Sequence, residues 1–168
     1  MRDVPGQRRV TSASKPWSWA GLGLGLFAGL SGCSDPLPSS VENYREACLR
    51  MTCNPIPTKN DDPHQGRKHV YACGISMERL ASNERPFDDG VLIVKESMRD
   101  DSSYAWLVAT AKKRDGRWRW DEYTRNFEGE DFLHIASGES VCIDCHKKVS
   151  DKDYIYTLHS YSDACPAP

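Results

Sequence analysis

The sequence predicts an α+β fold, mainly an antiparallel β-sheet with a few short helices. Three observations predict it. The run "GVLIVKES", residues 90–97, is rich in branched side chains and is bounded by turn formers, as strands are. The runs "SYAWLVATAKK" and "RWRWDEYT" flank "RDGR", and Asp115-Gly116 between two such runs signals a hairpin. Ahead of them, Val41, Tyr44, Ala47, Cys48 and Met51 recur at helical spacing.

Taken in order, the chain opens on a basic start, Arg2, Arg8, Arg9 and Lys15, followed by the apolar run "PWSWAGLGLGLFAGL". That run is short and glycine-rich for a membrane span and reads as a signal-peptide core. It ends in Leu30-Ser31-Gly32-Cys33, which resembles the lipobox of bacterial lipoproteins. The expectation is a signal peptide over 1–32, a lipidated Cys33 with a tether over 33–40, and one domain over 41–168. The protein would then be an exported lipoprotein on the periplasmic side of a membrane, expected to be the outer one, and would touch that membrane through its lipid alone.

Ser39 and Glu42 fit a capping box, so a helix is expected from about Ser40 to Met51. "NPIPTKNDDPHQGRK" holds three prolines and many polar residues and reads as a loop. "HVYAC" suggests a short strand, "SMERLASN" a short helix and "RPFDDG" a turn. Strand alternation then places Val91, Ile93 and Lys95 on one face of the next strand, and Leu92, Val94 and Glu96 on the other. A lysine sharing a face with two apolar residues is expensive to bury unless something uses it. A strand-end lysine reaching water along its own stem is the plainer expectation from the residues alone. Trp118 and Trp120 alternate on one strand face and would support the sheet or a dimer interface. Net charge is −2 with both signs mixed, which argues neither for nucleic acid nor for an acidic substrate, and no nucleic-acid partner is expected.

Seven cysteines punctuate the chain. Cys48, Cys53, Cys73 and Cys165 are expected to form two disulfides in an exported protein, with three pairings open, and Cys48 with Cys53 could close a small loop. Cys142, Cys145 and His146 form Cys-x-x-Cys-His, the attachment site of c-type haem. Two thiols add to the two porphyrin vinyl groups, and the adjacent imidazole takes one axial position on the iron. No methionine follows His146; Met51, Met77 and Met98 lie upstream in predicted helix or strand. Unless His159 ligates, one iron face is expected to stay open, which suits small-ligand chemistry.

"FDDGVLIVKES", "YAWLVATAKKRDGRWRW" and "CIDCHKKVSDKDYIYT" together resemble the cytochrome P-460 family, over roughly residues 67–156. That family holds hydroxylamine-oxidising members and β-fold cytochromes c′. The resemblance implies one covalently attached haem c at the C-terminal end and a ring cross-link at Lys95. It also implies a carboxylate base just ahead of the haem motif. Glu139 is nearest, with Glu130 and Asp131 further back, while Ser137 could occupy the aligned position instead. Phe127 and Phe132 could cap the open iron face, and His64, Arg67 or Lys68 could supply a nearby basic group. Partners implied are hydroxylamine or a nitrogen-oxide ligand, a soluble cytochrome as electron acceptor, and a second copy in a homodimer. The activities in view are oxidation of hydroxylamine to nitric or nitrous oxide, capture of nitric oxide without turnover, and simple electron transfer.

Overall fold

One six-stranded antiparallel sheet organises the molecule, with its strands in sequence order from one edge to the other. The computed structural model describes residues 36–162 and Cys165, without the side chains of Glu139 and Val141. The expected signal peptide and Cys33 therefore lie outside the described residues. No helix among the described residues is long and apolar enough to cross a membrane.

The chain enters through two one-turn helices, α1 (Ser39–Glu42) and α2 (Tyr44–Ala47), and a two-residue strand, β1 (Leu49–Arg50). The single helix expected from Ser40 to Met51 is thus broken at Asn43, and the capping box does not form. Pro38 is the N-cap of α1 and makes no side-chain cap bond. The physical reason lies downstream. Cys48 is extended and bonded to Cys73, and Leu49 and Arg50 pair with Ala72 and Tyr71 on β2 (Arg67–Cys73). A disulfide and a strand pairing outweigh the weak helical preference of so short a segment. The second disulfide joins Cys53 to Cys165, so Cys48 and Cys53 close no loop between them.

Helix α3 (Met77–Ala81) starts where Ser76 accepts from the Arg79 N–H. Strands β3 (Leu92–Met98), β4 (Ala105–Arg114) and β5 (Arg117–Thr124) follow. Asp115 and Gly116 turn β4 into β5 with φ 52° and 71°, the positive pair a tight hairpin needs. A short edge strand, β6 (Leu133–Ser137), was not expected from sequence. Next come helix α4 (Glu139–His146) and a 3-10 helix over Lys147–Lys152.

Alternation along the strands divides the core in two. Val70, Ala72, Val91, Ile93, Ala111, Trp118 and Trp120 cluster on one face, joined by Met51, Leu80, Phe87 and Ile155. Tyr71, Leu92, Val94, Val108 and Tyr123 cluster on the other, under Leu37, Val41 and Tyr44. Both tryptophans are buried and support the sheet. Helix α4 packs beside β5 on the first face.

Candidate functional site

Register across the sheet builds the site. Val70, Lys95, Ala109, Glu122 and Ala136 are successive cross-strand partners on β2 to β6. Partners in register share a face, so Lys95 and Glu122 stand on the same side, separated by the small Ala109. Lys95 is the middle residue of β3 and is half-buried, so the strand-end reading is corrected. Its Nζ lies 2.6 Å from His64 Nδ1, and His64 Nε2 lies 3.3 Å from Glu122 Oε1. His64 comes from the proline-rich loop, where the Asp62 carboxylate accepts from the His64 N–H at 2.9 Å and binds Lys68 Nζ at 2.7 Å.

Burial sets the charges here. It pulls the Lys95 amine down to about 8, and the charge of Lys68 adds to the effect. It pulls His64 down to about 3, with the charge of Lys95 acting in the same direction. It pushes the Glu122 carboxyl up, while Lys95 opposes that shift. A neutral His64 satisfies both neighbours in one tautomer: Nε2–H donates to Glu122, and Nδ1 accepts from Lys95.

Helix α4 brings the haem-type motif to the same face. Its start needs Gly138, whose φ is 117°, and the Gly138 N–H donates to the Trp120 carbonyl at 3.3 Å. Cys142 packs against the first core cluster, and the Lys95 charge acts on both Cys142 and His146. Among the described residues, Cys142 and Cys145 are the free thiols, while Cys48, Cys53, Cys73 and Cys165 are bridged. The His146 ring lies 4.3 Å from that of Trp120 and 5.3 Å from that of Tyr156. Its Nδ1–H donates to the Tyr154 carbonyl at 2.6 Å, leaving Nε2 as the ring's lone-pair atom. Burial lowers the proton affinity of His146, so the imidazole is neutral near pH 7, the form that ligates metals.

These residues could hold a covalent porphyrin. Two unbridged thiols sit one helical turn apart, with an oriented neutral imidazole next to them. Trp120 Nε1 is buried beside that imidazole, with no hydrogen-bond partner among the described residues. Ile135 and Tyr156, exposed apolar side chains, belong to the elements that frame this region. Among the described residues, no group of three or more His, Cys, Asp or Glu side chains is arranged to hold a metal ion by itself.

Other expected groups fall elsewhere. Glu130 caps the β5–β6 loop by accepting from the Asn126 and Phe127 N–H groups, and Asp131 and Ser137 are exposed. Phe127 is exposed, and Phe132 packs with the core cluster of the opposite face. Arg67 turns toward the Ser102 carbonyl and Asp100. His159 is held by Asn83 through its own backbone, and its buried Nε2 has no hydrogen-bond partner among the described residues. Met51 fills the core. Glu139 begins α4, and its side chain lies outside the described residues. Glu122 was missed because only strand register joins it to Lys95.

Two surface clefts lie apart from this region. One runs between Tyr44, Arg45, Arg125 and Phe132, the other between Gly66, Arg99 and Trp106, and neither is lined by a histidine or a free cysteine. Comparison of the chain with models of known protein families gives no match, and comparison with curated protein sequences gives none either.

Proposed function

We propose that this chain is a mono-haem c protein of the cytochrome P-460 type that oxidises hydroxylamine to nitric or nitrous oxide. The observation that carries the reading is one shared sheet face. It bears the free thiols of Cys142 and Cys145, the oriented imidazole of His146, and the Lys95–His64–Glu122 chain. Cys142 and Cys145 would tether the ring, His146 would be the axial ligand and Lys95 the residue that modifies the ring. When bound, the haem iron supplies a site for hydroxylamine and a sink for its electrons, which pass on to a soluble cytochrome. Each electron removed is matched by a proton released, so the reaction needs an acceptor in reach. Glu122, with its raised proton affinity and its contact to His64, is the carboxylate whose geometry suits that role. Glu139 remains the nearest carboxylate ahead of the motif in sequence. Capture of nitric oxide without turnover is the weaker reading, because of the phenylalanines expected to shield the ligand, Phe127 is exposed and Phe132 packs with the core cluster of the opposite face. Anchoring through a lipidated Cys33, and pairing of two copies, belong to the same proposal.

The test is the mature protein from a host that attaches c-type haem. Expected are an intact mass with one haem added, a five-coordinate high-spin spectrum and turnover of hydroxylamine with an added cytochrome. Glu122→Gln should slow turnover by about 10²–10⁴-fold and leave the resting spectrum unchanged. A colourless product, or a low-spin spectrum with both iron faces filled, would end the proposal.

A further inference from the structure

The backbone just after the haem-type motif is strained. Asp153 and Tyr154 have φ of 53° and 65°, two consecutive left-handed residues and neither a glycine. Side-chain crowding makes single left-handed residues uncommon, and two in succession persist only where surroundings enforce them. The enforcement is visible. The Asp153 carboxylate is 8% exposed and is held at both oxygens: Lys113 Nζ lies 2.5 Å from Oδ1, and the Phe87 N–H donates to Oδ2 at 2.9 Å. Lys113 is 6% exposed, on β4, with Nζ 5.0 Å from the centre of the Trp118 ring. The turn is also closed by backbone bonds, from the Asp153 N–H to the Ser150 carbonyl and from the Tyr154 N–H to the Val149 carbonyl.

A buried ion pair is a poor way to gain stability, because taking both charges out of water offsets most of their attraction. Spending one on a strained turn calls for another account. The turn's product is the position of one oxygen: the Tyr154 carbonyl, 2.6 Å from His146 Nδ1.

We propose that Asp153, clamped by Lys113 and the Phe87 amide, is a positioning residue that fixes the Tyr154 carbonyl and through it the orientation and donor strength of the His146 imidazole. This rests on the reading of His146 as a haem ligand. A hydrogen bond from Nδ1–H to a fixed acceptor locks the tautomer and makes Nε2 a stronger donor to a metal. A stronger donor favours the more highly charged ferric iron. Loosening the turn lets the carbonyl withdraw, weakens the Nδ1–H bond and favours the ferrous state.

The test uses the haem-loaded full chain. Asp153→Asn keeps the shape and the Phe87 contact but removes the charge that Lys113 grips. Asp153→Gly accepts the left-handed backbone and removes the clamp altogether. Expected are a lower iron–histidine stretching frequency in the ferrous protein and a higher reduction potential, in the order Gly over Asn over wild type. Loss of a ligand-orienting partner typically changes metal-site properties by about tenfold or more. A tenfold change in the ferric-to-ferrous ratio corresponds to ~59 mV for a one-electron couple. Glu96→Gln, on the opposite face of the sheet, is the control for general loosening and should leave both readouts unchanged. If folded Asp153→Asn has the wild-type stretch and potential and only a lower melting temperature, Asp153 is structural and the proposal fails. A wild-type protein with haem but without an iron–histidine stretch would instead overturn the ligand reading beneath it. Asp153→Gly failing to fold leaves Asp153→Asn to decide.

Discussion

Lys95 and Glu96 are neighbours on β3, the first half-buried and the second buried, and they face opposite sides of one sheet. Glu96 is 2% exposed and is surrounded by partners: the Tyr44 hydroxyl, the Tyr71 hydroxyl at 3.1 Å, and Arg45, whose Nε and Nη2 both lie at 2.7 Å. Burial and the Glu96 carboxylate together push both phenols far above their ordinary range, so they remain donors. Lys95, by contrast, has one hydrogen-bond partner among the described residues, and that partner is a neutral histidine. One buried charge is closed off by complementary groups. The other is left under-neutralised, at a face shared with two free thiols and the His146 imidazole. The difference separates holding a fold together from being available for chemistry.

The largest effect should come from breaking the closed side. Glu96→Ala strands two buried hydroxyls and removes the partner of Arg45, which is itself 44% exposed and keeps some water. A loss of about 3 kcal/mol is expected, read from urea midpoints, with the haem spectrum unchanged. A loss below about 1 kcal/mol would mean that the network is not structural. Breaking the open side should have the reverse profile. Lys95→Met removes an amine that burial already disfavours, so the melting temperature should hold or rise. The haem absorption spectrum should shift, and any covalent bond between this side chain and the ring should vanish from peptide mass spectra. A melting temperature that fell as far as in Glu96→Ala would erase the contrast between the faces.

What the sequence made legible follows from how local each signal is. The Cys142-x-x-Cys145-His146 motif, the Asp115-Gly116 hairpin and the two faces of β3 each rest on neighbours in the chain, and each could be read directly. The break at Asn43 could not, because the force that straightens Cys48 comes from Cys73, 25 residues on. Glu122 is two strands from Lys95, and only the register through Ala109 aligns them. His64 sits in a loop whose prolines advertise a turn and nothing about its direction. Asp153 carries no local signal of its role, because its partner Lys113 lies 40 residues away in sequence and meets it only through the fold. Strand β6 is five residues long, at an edge and half-exposed, too short for a periodic signal.

The smallest predicted effect tests whether His64, on the open face, is held neutral. His64 faces Lys95, Asp62, Glu122 and, at longer range, Lys68 and His146. Its folded pKa of about 3 lies below the ordinary histidine value of about 6.5. Between those values the unfolded chain binds a proton that the folded chain refuses, so stability is full above about pH 6.5 and falls as pH drops toward 3. His69, His146 and His159 are shifted the same way, so the total acid sensitivity does not isolate His64. The difference from His64→Asn does, since asparagine can still accept from Lys95 and donate to Glu122 without titrating. Between pH 7 and pH 5 the wild type should lose about 1–2 kcal/mol more than the variant, read from urea midpoints at each pH. Parallel losses would mean that water reaches His64 freely, and then Lys95 would be no more confined than a surface lysine.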